Sequence, residues 1–163
     1  MPKFKEKTNL KVSLKDSIIG FVGGFMVILI LLFLTELSKV PLIMAPFGAS
    51  CVLVFGVPKS PLSQPRNVIG GHFLSTLVGL SVQELFGNSM YAIAFATGFA
   101  IFIMMMTKTT HPPAGADALV VMLSQVSWSF LFMPVLVGSI VVVCVAVVVN
   151  RMVKGRQYPE FWY

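Results

Sequence analysis

Acidic residues are scarce in this chain: six Asp and Glu are spread over 163 residues, beside two histidines and two cysteines. Two cysteines rule out a disulfide framework. Cys51 and Cys144 both stand in apolar runs, where packing is the default role. No paired catalytic carboxylates, nucleophile elbow or zinc-protease helix motif can be found, so the chain does not read as an enzyme. Two histidines without a cysteine or carboxylate cluster give no metal-ligand pattern, and no cofactor is implied. Charge of either sign is also sparse, at 11% of residues against 56% hydrophobic, with a mean hydropathy of +0.89. That balance excludes an ordinary soluble domain.

What fills the chain instead is long uncharged sequence, in runs at 17–35, 40–58, 67–83, 85–107 and 118–150. Four of these have 17 to 23 residues, enough to span a hydrocarbon core of roughly 30 Å as helix. The last has 33 residues and is expected to break near Ser127-Trp128-Ser129, with Trp128 at an interface. The fold class is therefore an all-α polytopic membrane protein. Six membrane segments are expected, at about 17–37, 41–57, 67–86, 88–107, 113–126 and 131–150.

Six segments place Lys3, Lys5, Lys7, Lys11, Lys15, Lys59, Arg66, Lys108, Arg151, Lys154 and Arg156 on one side and Lys39 alone on the other. Basic residues favour the cytoplasmic side, so both termini are expected there. A four-span alternative puts Lys59 and Arg66 outside and fits less well. The net charge of +6 thus reads as topology and contact with anionic lipid, with no nucleic-acid partner. Residues 1–16 form a basic cytoplasmic segment, 17–153 the transmembrane domain and 154–163 a cytoplasmic tail. The run Ser17 to Thr35 is longer than a signal-peptide core and lacks a small-residue cleavage site, so a bacterial inner membrane is the default location.

A shift of 67 residues lays Pro46-Phe47-Gly48-Ala49 on Pro113-Ala114-Gly115-Ala116, Gly20 on Gly87 and Gly71 on Gly138. Each half, about 17–86 and 88–153, then holds a long span, a short Pro-initiated segment and another long span. Three crossings per repeat invert the second half relative to the first, as in many secondary transporters. Proline suits a first helical turn, where its missing N–H would be unpaired anyway. Helices from Pro46 to Gly56 and from Pro113 to Ser124 would reach roughly 15 to 18 Å, about half the core. Their N-termini would meet near the midplane, offering unpaired N–H groups and partial positive charge to a small anion. Gly48, Ala49, Gly115 and Ala116 would let it approach the backbone, although small residues also serve close helix packing.

Few polar residues stand near these elements. Arg66 can pair with an oxyanion or anchor a lipid phosphate, and His72 faces the bundle or a polar cavity if buried. His111 directly precedes Pro112 and Pro113 and can donate to an anion or carry a proton. Asp117 either stabilises a helix N-terminus or carries a proton inside the membrane.

The stretch from Gly48-Ala49-Ser50 to Phe55-Gly56-Val57-Pro58, followed by Ser60-Pro61-Leu62-Ser63-Gln64-Pro65-Arg66-Asn67, Gly70-Gly71-His72 and His111-Pro112-Pro113-Ala114-Gly115-Ala116, resembles the HPP family of integral membrane proteins. The resemblance covers about residues 15–153. It implies a small-anion transporter, nitrite being the substrate linked to members in cyanobacteria and chloroplasts. Substrate contacts are then expected from Gly48, Ala49, Ser50, Arg66, His72, His111, Gly115 and Ala116, proton coupling from His111 and Asp117, and structural roles from Pro46, Gln64, Pro65, Asn67, Pro112 and Pro113. Asp117 departs from the neutral residue, such as threonine, that the family pattern places after the Gly-Ala pair. A channel and a nontransporting scaffold or sensor are the alternative classes, and a homo-oligomer would bury more of a small bundle.

Overall fold

A computed structural model describes residues 13–162. The expected basic segment before Ser13 lies outside the described residues. Those residues form six α-helices and no strand: α1 (Leu14–Ser38), α2 (Ala45–Gly56), α3 (Pro65–Phe86), α4 (Met90–Met106), α5 (Asp117–Ser124) and α6 (Val137–Met152). Side-chain caps open α1 and α4, where Ser13 and Ser89 accept from the backbone N–H groups of Asp16 and Ala92. Proline in the first turn opens α2 and α3.

Two stretches of 25 residues, Leu14–Ser38 and Trp128–Met152, are long and apolar enough to cross a membrane. The second is interrupted rather than straight, because Met133 leaves helical geometry (φ −131°, ψ 116°) before α6 begins. The break in the run 118–150 lies where the sequence places it. Gln125 turns left-handed after α5 (φ 49°), and Trp128–Leu131 forms a short 3-10 turn. α2 and α5, of 12 and 8 residues, reach only about 18 and 12 Å and cannot cross. The second short element differs from the single half-helix expected from Pro113. Pro112–Ala116 is a 3-10 turn and the α-helix starts at Asp117. Two adjacent prolines supply no N–H, and Pro113 disfavours α geometry at Pro112, so the first bond available is the tight one from Ala114 N–H to His111 O.

Apolar side chains cover the outside. Phe21, Phe25 and Phe33 on α1 and Phe95, Phe99 and Phe102 on α4 are exposed, whereas Ser50, His72, Ser75, Thr76, His111, Asp117, Ser139 and Asn150 are fully buried. Such a surface suits lipid, and polar groups inside it must find partners within the protein. α1 packs on α2 and α6, α4 on α3 and α5, α2 on α6, and α5 on α3. Glycine permits the closest approaches. A Cβ on Gly138 would strike the Phe47 ring, and one on Gly71 would strike the His111 Cβ at 2.8 Å and the Thr109 carbonyl at 2.9 Å.

One end of the bundle is fastened by hydrogen bonds. Arg156 Nη2 meets Asp16 Oδ1 at 2.6 Å, and Arg156 Nη1 donates to Phe55 O and to Asn150 Oδ1. The Tyr158 hydroxyl donates to Ser63 O, Glu160 N–H to Gln64 Oε1, and Arg66 Nη2 to Thr107 O. The start of α1, the α2–α3 link, the end of α4 and the chain after α6 therefore share one end. Lys39, paired with exposed Glu36 at 3.6 Å, stands at the far end of α1. Gln83 Nε2 donates to Val126 O, tying the exit of α5 to the last turn of α3. α2 and α5 thus run in opposite directions.

Candidate functional site

Where the first turn of α2 meets the Pro112–Ala116 turn, four fully buried side chains form a continuous polar chain. Asp117 Oδ2 lies 2.6 Å from His72 Nδ1, and His72 Nε2 lies 2.8 Å from Ser50 Oγ. Ser50 Oγ lies 2.8 Å from His111 Nε2, and His111 Nδ1 donates to Leu62 O at 2.7 Å. The hydroxyl of Ser50 also sits 3.1 Å from Pro46 O. Phe47 closes one side, its ring edge-on to His72 with centroids 5.2 Å apart.

Local structure explains why these groups converge. Ser50 is one turn into α2, on the face that also buries Pro46, Phe47 and Val54. His72 faces inward two turns into α3, next to Gly71, whose bare Cα makes room for the His111 Cβ and the Thr109 carbonyl. His111 is held extended (φ −137°, ψ 104°) before its prolines, and Asp117 is the first residue of α5. The run Ser60 to Asn67 is scaffolding for this arrangement. The Ser63 hydroxyl bonds Leu53 O and Val57 O, Gln64 Nε2 bonds Pro58 O and Ser60 O, and Asn67 Nδ2 bonds Thr110 O, which fixes Leu62 O beneath His111.

Of the residues expected at a site, Ser50, His72, His111 and Asp117 come together. Gly48 and Ala49 lie on the exposed face of α2, Gly48 lining a groove of about 670 Å³ with Gly20, Gly24 and Cys51. Gly115 and Ala116 are half-buried, and a Cβ on Gly115 would meet nothing within 4 Å. Arg66 is spent on the carbonyl end of α4 through Thr107 O. Pro46 and Pro113 are buried and Pro112 is exposed, and Pro65 opens α3. Among the described residues no group of three His, Cys, Asp or Glu side chains is placed to hold a metal ion.

The His72–Asp117 pair joins residues 45 positions apart, which no spacing in the sequence links. One signal pointed to it: the 67-residue shift that aligns the two Pro-initiated motifs also lays Ser50 on Asp117. His72 bridges these two equivalent positions.

The HPP transmembrane-region family matches residues 9–159. The chain belongs to that family. It is an integral membrane protein, and its HPP motif, His111-Pro112-Pro113, is the segment that delivers His111 to the buried chain. Two curated relatives from Dictyostelium discoideum are both described as transmembrane proteins. One is 41% identical over 77% of this chain and 47% of its own length. The other is 37% identical over 97% of this chain and 55% of its own. The chain therefore spans about half the length of the curated relatives it matches. No solved structure matches it.

Proposed function

We propose that this HPP protein is a carrier for a small monovalent anion, nitrite being the substrate that the family resemblance suggests, with transport coupled to protons. The observation that carries the proposal is the buried Asp117–His72–Ser50–His111 chain at the meeting point of two short, oppositely directed helices. Intramembrane ionisable residues of this kind mark ion pathways and proton relays. Short helices that end inside the bundle are the elements from which secondary transporters build midplane sites.

The six-segment, inverted-repeat plan belongs to the same proposal, and paired contacts support it. Gly138 backs onto Phe47, and Gly71 onto Ala114. A shift of 67 residues turns Gly71 into Gly138 and Phe47 into Ala114. Each short element thus packs on the glycine of the other half's long helix. The shared end of Lys59, Arg66, Lys108, Arg151 and Arg156 favours a cytoplasmic location for both termini, with a bacterial plasma membrane as the proposed setting, lipid as neighbour and a homo-oligomer as the proposed assembly.

Nitrite uptake into proteoliposomes, with and without an imposed pH gradient, tests the proposal. Saturable uptake accelerated by the gradient and lost in His111→Ala is expected. No flux of nitrite, nitrate or formate would remove the anion-carrier reading in favour of a nontransporting role, and flux indifferent to the gradient would favour a channel. A second reading rests on the order Asp117–His72–Ser50, which is that of a hydrolase triad. Covalent labelling of Ser50 by a fluorophosphonate would favour it over the carrier.

A further inference from the structure

Four short contacts make up the buried chain: Leu62 O with His111 Nδ1, His111 Nε2 with Ser50 Oγ, Ser50 Oγ with His72 Nε2, and His72 Nδ1 with Asp117 Oδ2. Each needs one hydrogen between its two atoms. With Asp117 ionised and both imidazoles neutral, the chain owns three, one on each ring and one on Ser50. Leu62 O can only accept, so the ring hydrogen of His111 is on Nδ1 and Nε2 is bare. Ser50 has a single hydrogen, with two histidine nitrogens at the same distance of 2.8 Å and the Pro46 carbonyl farther off at 3.1 Å; a hydrogen given to Pro46 O would leave both nitrogen contacts to be filled from the rings and raise the shortfall. If it donates to His111, then His72 must donate to Ser50 through Nε2, and nothing remains for the contact with Asp117 unless one further proton is present.

From this count we infer that Asp117, His72, Ser50 and His111 constitute a single proton-binding site, holding one proton more than ionised Asp117 and two neutral histidines, so that the loaded site is electrically neutral. The proton is shared along the chain. It resides on Asp117 Oδ2 or on His72 Nδ1, and concerted transfer along the hydrogen bonds moves it to His111 Nε2, the two bonds at Ser50 reversing their direction while His111 Nδ1 keeps donating to Leu62 O. Burial argues the same way. All four side chains are fully buried, and Asp117 Oδ1 has no hydrogen-bond partner, an arrangement that a neutral carboxyl tolerates far better than a carboxylate.

Among the described residues, His72 is the one ionisable group paired with Asp117. α2 contributes Ser50 and the thiol Cys51 beside it, α3 contributes His72 and Ser75, which accepts from Ala118 N–H, and the turn before α5 contributes His111, while Asn150 on α6 pairs with Arg156 at the fastened end. Arg66 at the start of α3 reaches the end of α4, and Asp16 and Arg156 pair with one another at the fastened end.

Unloading removes one of the four hydrogens and leaves two lone pairs facing each other at Ser50 or at His72. The bridge joining α2 to α3 and to the Pro112–Ala116 turn then opens at one contact. Proton occupancy and closure of the two short elements are thereby linked. That last consequence rests on the carrier reading, whereas the proton site does not.

The test uses the full chain in nanodiscs with ring-15N histidine, combining nitrogen NMR with infrared difference spectroscopy. Expected at neutral pH is hydrogen on His111 Nδ1, with either hydrogen on His72 Nε2 and a carboxylic-acid band that disappears in Asp117→Asn, or a doubly protonated ring on His72 or His111. Two neutral histidines each carrying hydrogen on Nδ1 alone, with no carboxylic-acid band, would overturn the inference. The Asp117→Asn variant supplies a second arm, because its amide can donate the fourth hydrogen permanently. Its thermal midpoint is expected to fall less on raising pH than that of the unmodified chain; parallel curves would overturn the inference as well. The outcomes separate the two proposals. A bound proton without anion flux sinks the carrier and leaves the site standing, and flux without a bound proton does the reverse.

Discussion

Ser50 is the hinge of the chemistry at the scale of single residues, because its one hydroxyl is shared by two histidines and is the contribution of α2 to the bridge. Ser50→Ala should leave His72 Nε2 and His111 Nε2 without a partner at a buried site, a loss of about 1–3 kcal/mol, read as a lower unfolding midpoint of the full chain in detergent. Ser50→Thr, which keeps the hydroxyl, should recover most of it. Tyr158→Phe is a comparison away from the buried chain. It removes the donor to Ser63 O and should cost about 1–3 kcal/mol. An unchanged midpoint there would show that the chain after α6 does not fasten the α2–α3 link. Burial also holds the Tyr158 hydroxyl above its ordinary range, so it remains a donor at any working pH. Several of these residues were legible beforehand: His111 and Asp117 stood out as polar residues beside prolines in an apolar chain. The role of Ser50 is not legible, since a serine inside a helix usually bonds its own backbone, and Pro46 O does lie 3.1 Å from the Ser50 hydroxyl.

Between elements, the closest approaches are made through glycine. Gly138→Ala would push a methyl into the Phe47 ring, and Gly71→Ala one into His111 and Thr109. Overpacking of this kind costs about 1–3 kcal/mol. Gly138→Ala combined with Phe47→Ala should recover part of the loss, and a double-mutant cycle of unfolding midpoints checks it, since contacting residues couple. Additive effects would mean that the two residues do not share the contact. The long elements were readable from uncharged runs, and α2 was readable from Pro46 to Gly56. The first turn of the second short element is not readable, because a proline pair imposes a 3-10 turn that hydrophobic length alone does not reveal. The site was half-readable for a related reason. Glycines mark where backbones approach, but Gly48 faces outward on α2 and only the register of the helix tells which face meets the histidines.

The whole molecule is an apolar-surfaced bundle fastened at one end by Arg156, Tyr158 and Gln64 and threaded at its centre by a polar chain. The fastened end has its own pH dependence. Arg156 bonds the charged form of Asp16 and holds its carboxyl below the ordinary range. Stability from this link is therefore present above the usual carboxylate range and fades as pH falls through the lowered value. The difference in unfolding midpoint between the unmodified chain and Asp16→Asn should shrink on acidification; a difference that grows instead would contradict the pairing. Topology is testable at this scale too. Single cysteines replacing Lys59 or Lys108 should be labelled from the cytoplasmic side and one replacing Lys39 from the opposite side. Labelling of all three from one side would contradict the six-segment plan. The most direct test of the central claim is nitrite accumulation in proteoliposomes driven by an inward proton gradient, with the unmodified chain compared to Asp117→Asn. Expected is accumulation that rises with the gradient for the unmodified chain and residual flux that ignores the gradient for the variant. Equal, gradient-dependent accumulation by both would contradict a proton carried on the Asp117–His72–Ser50–His111 chain.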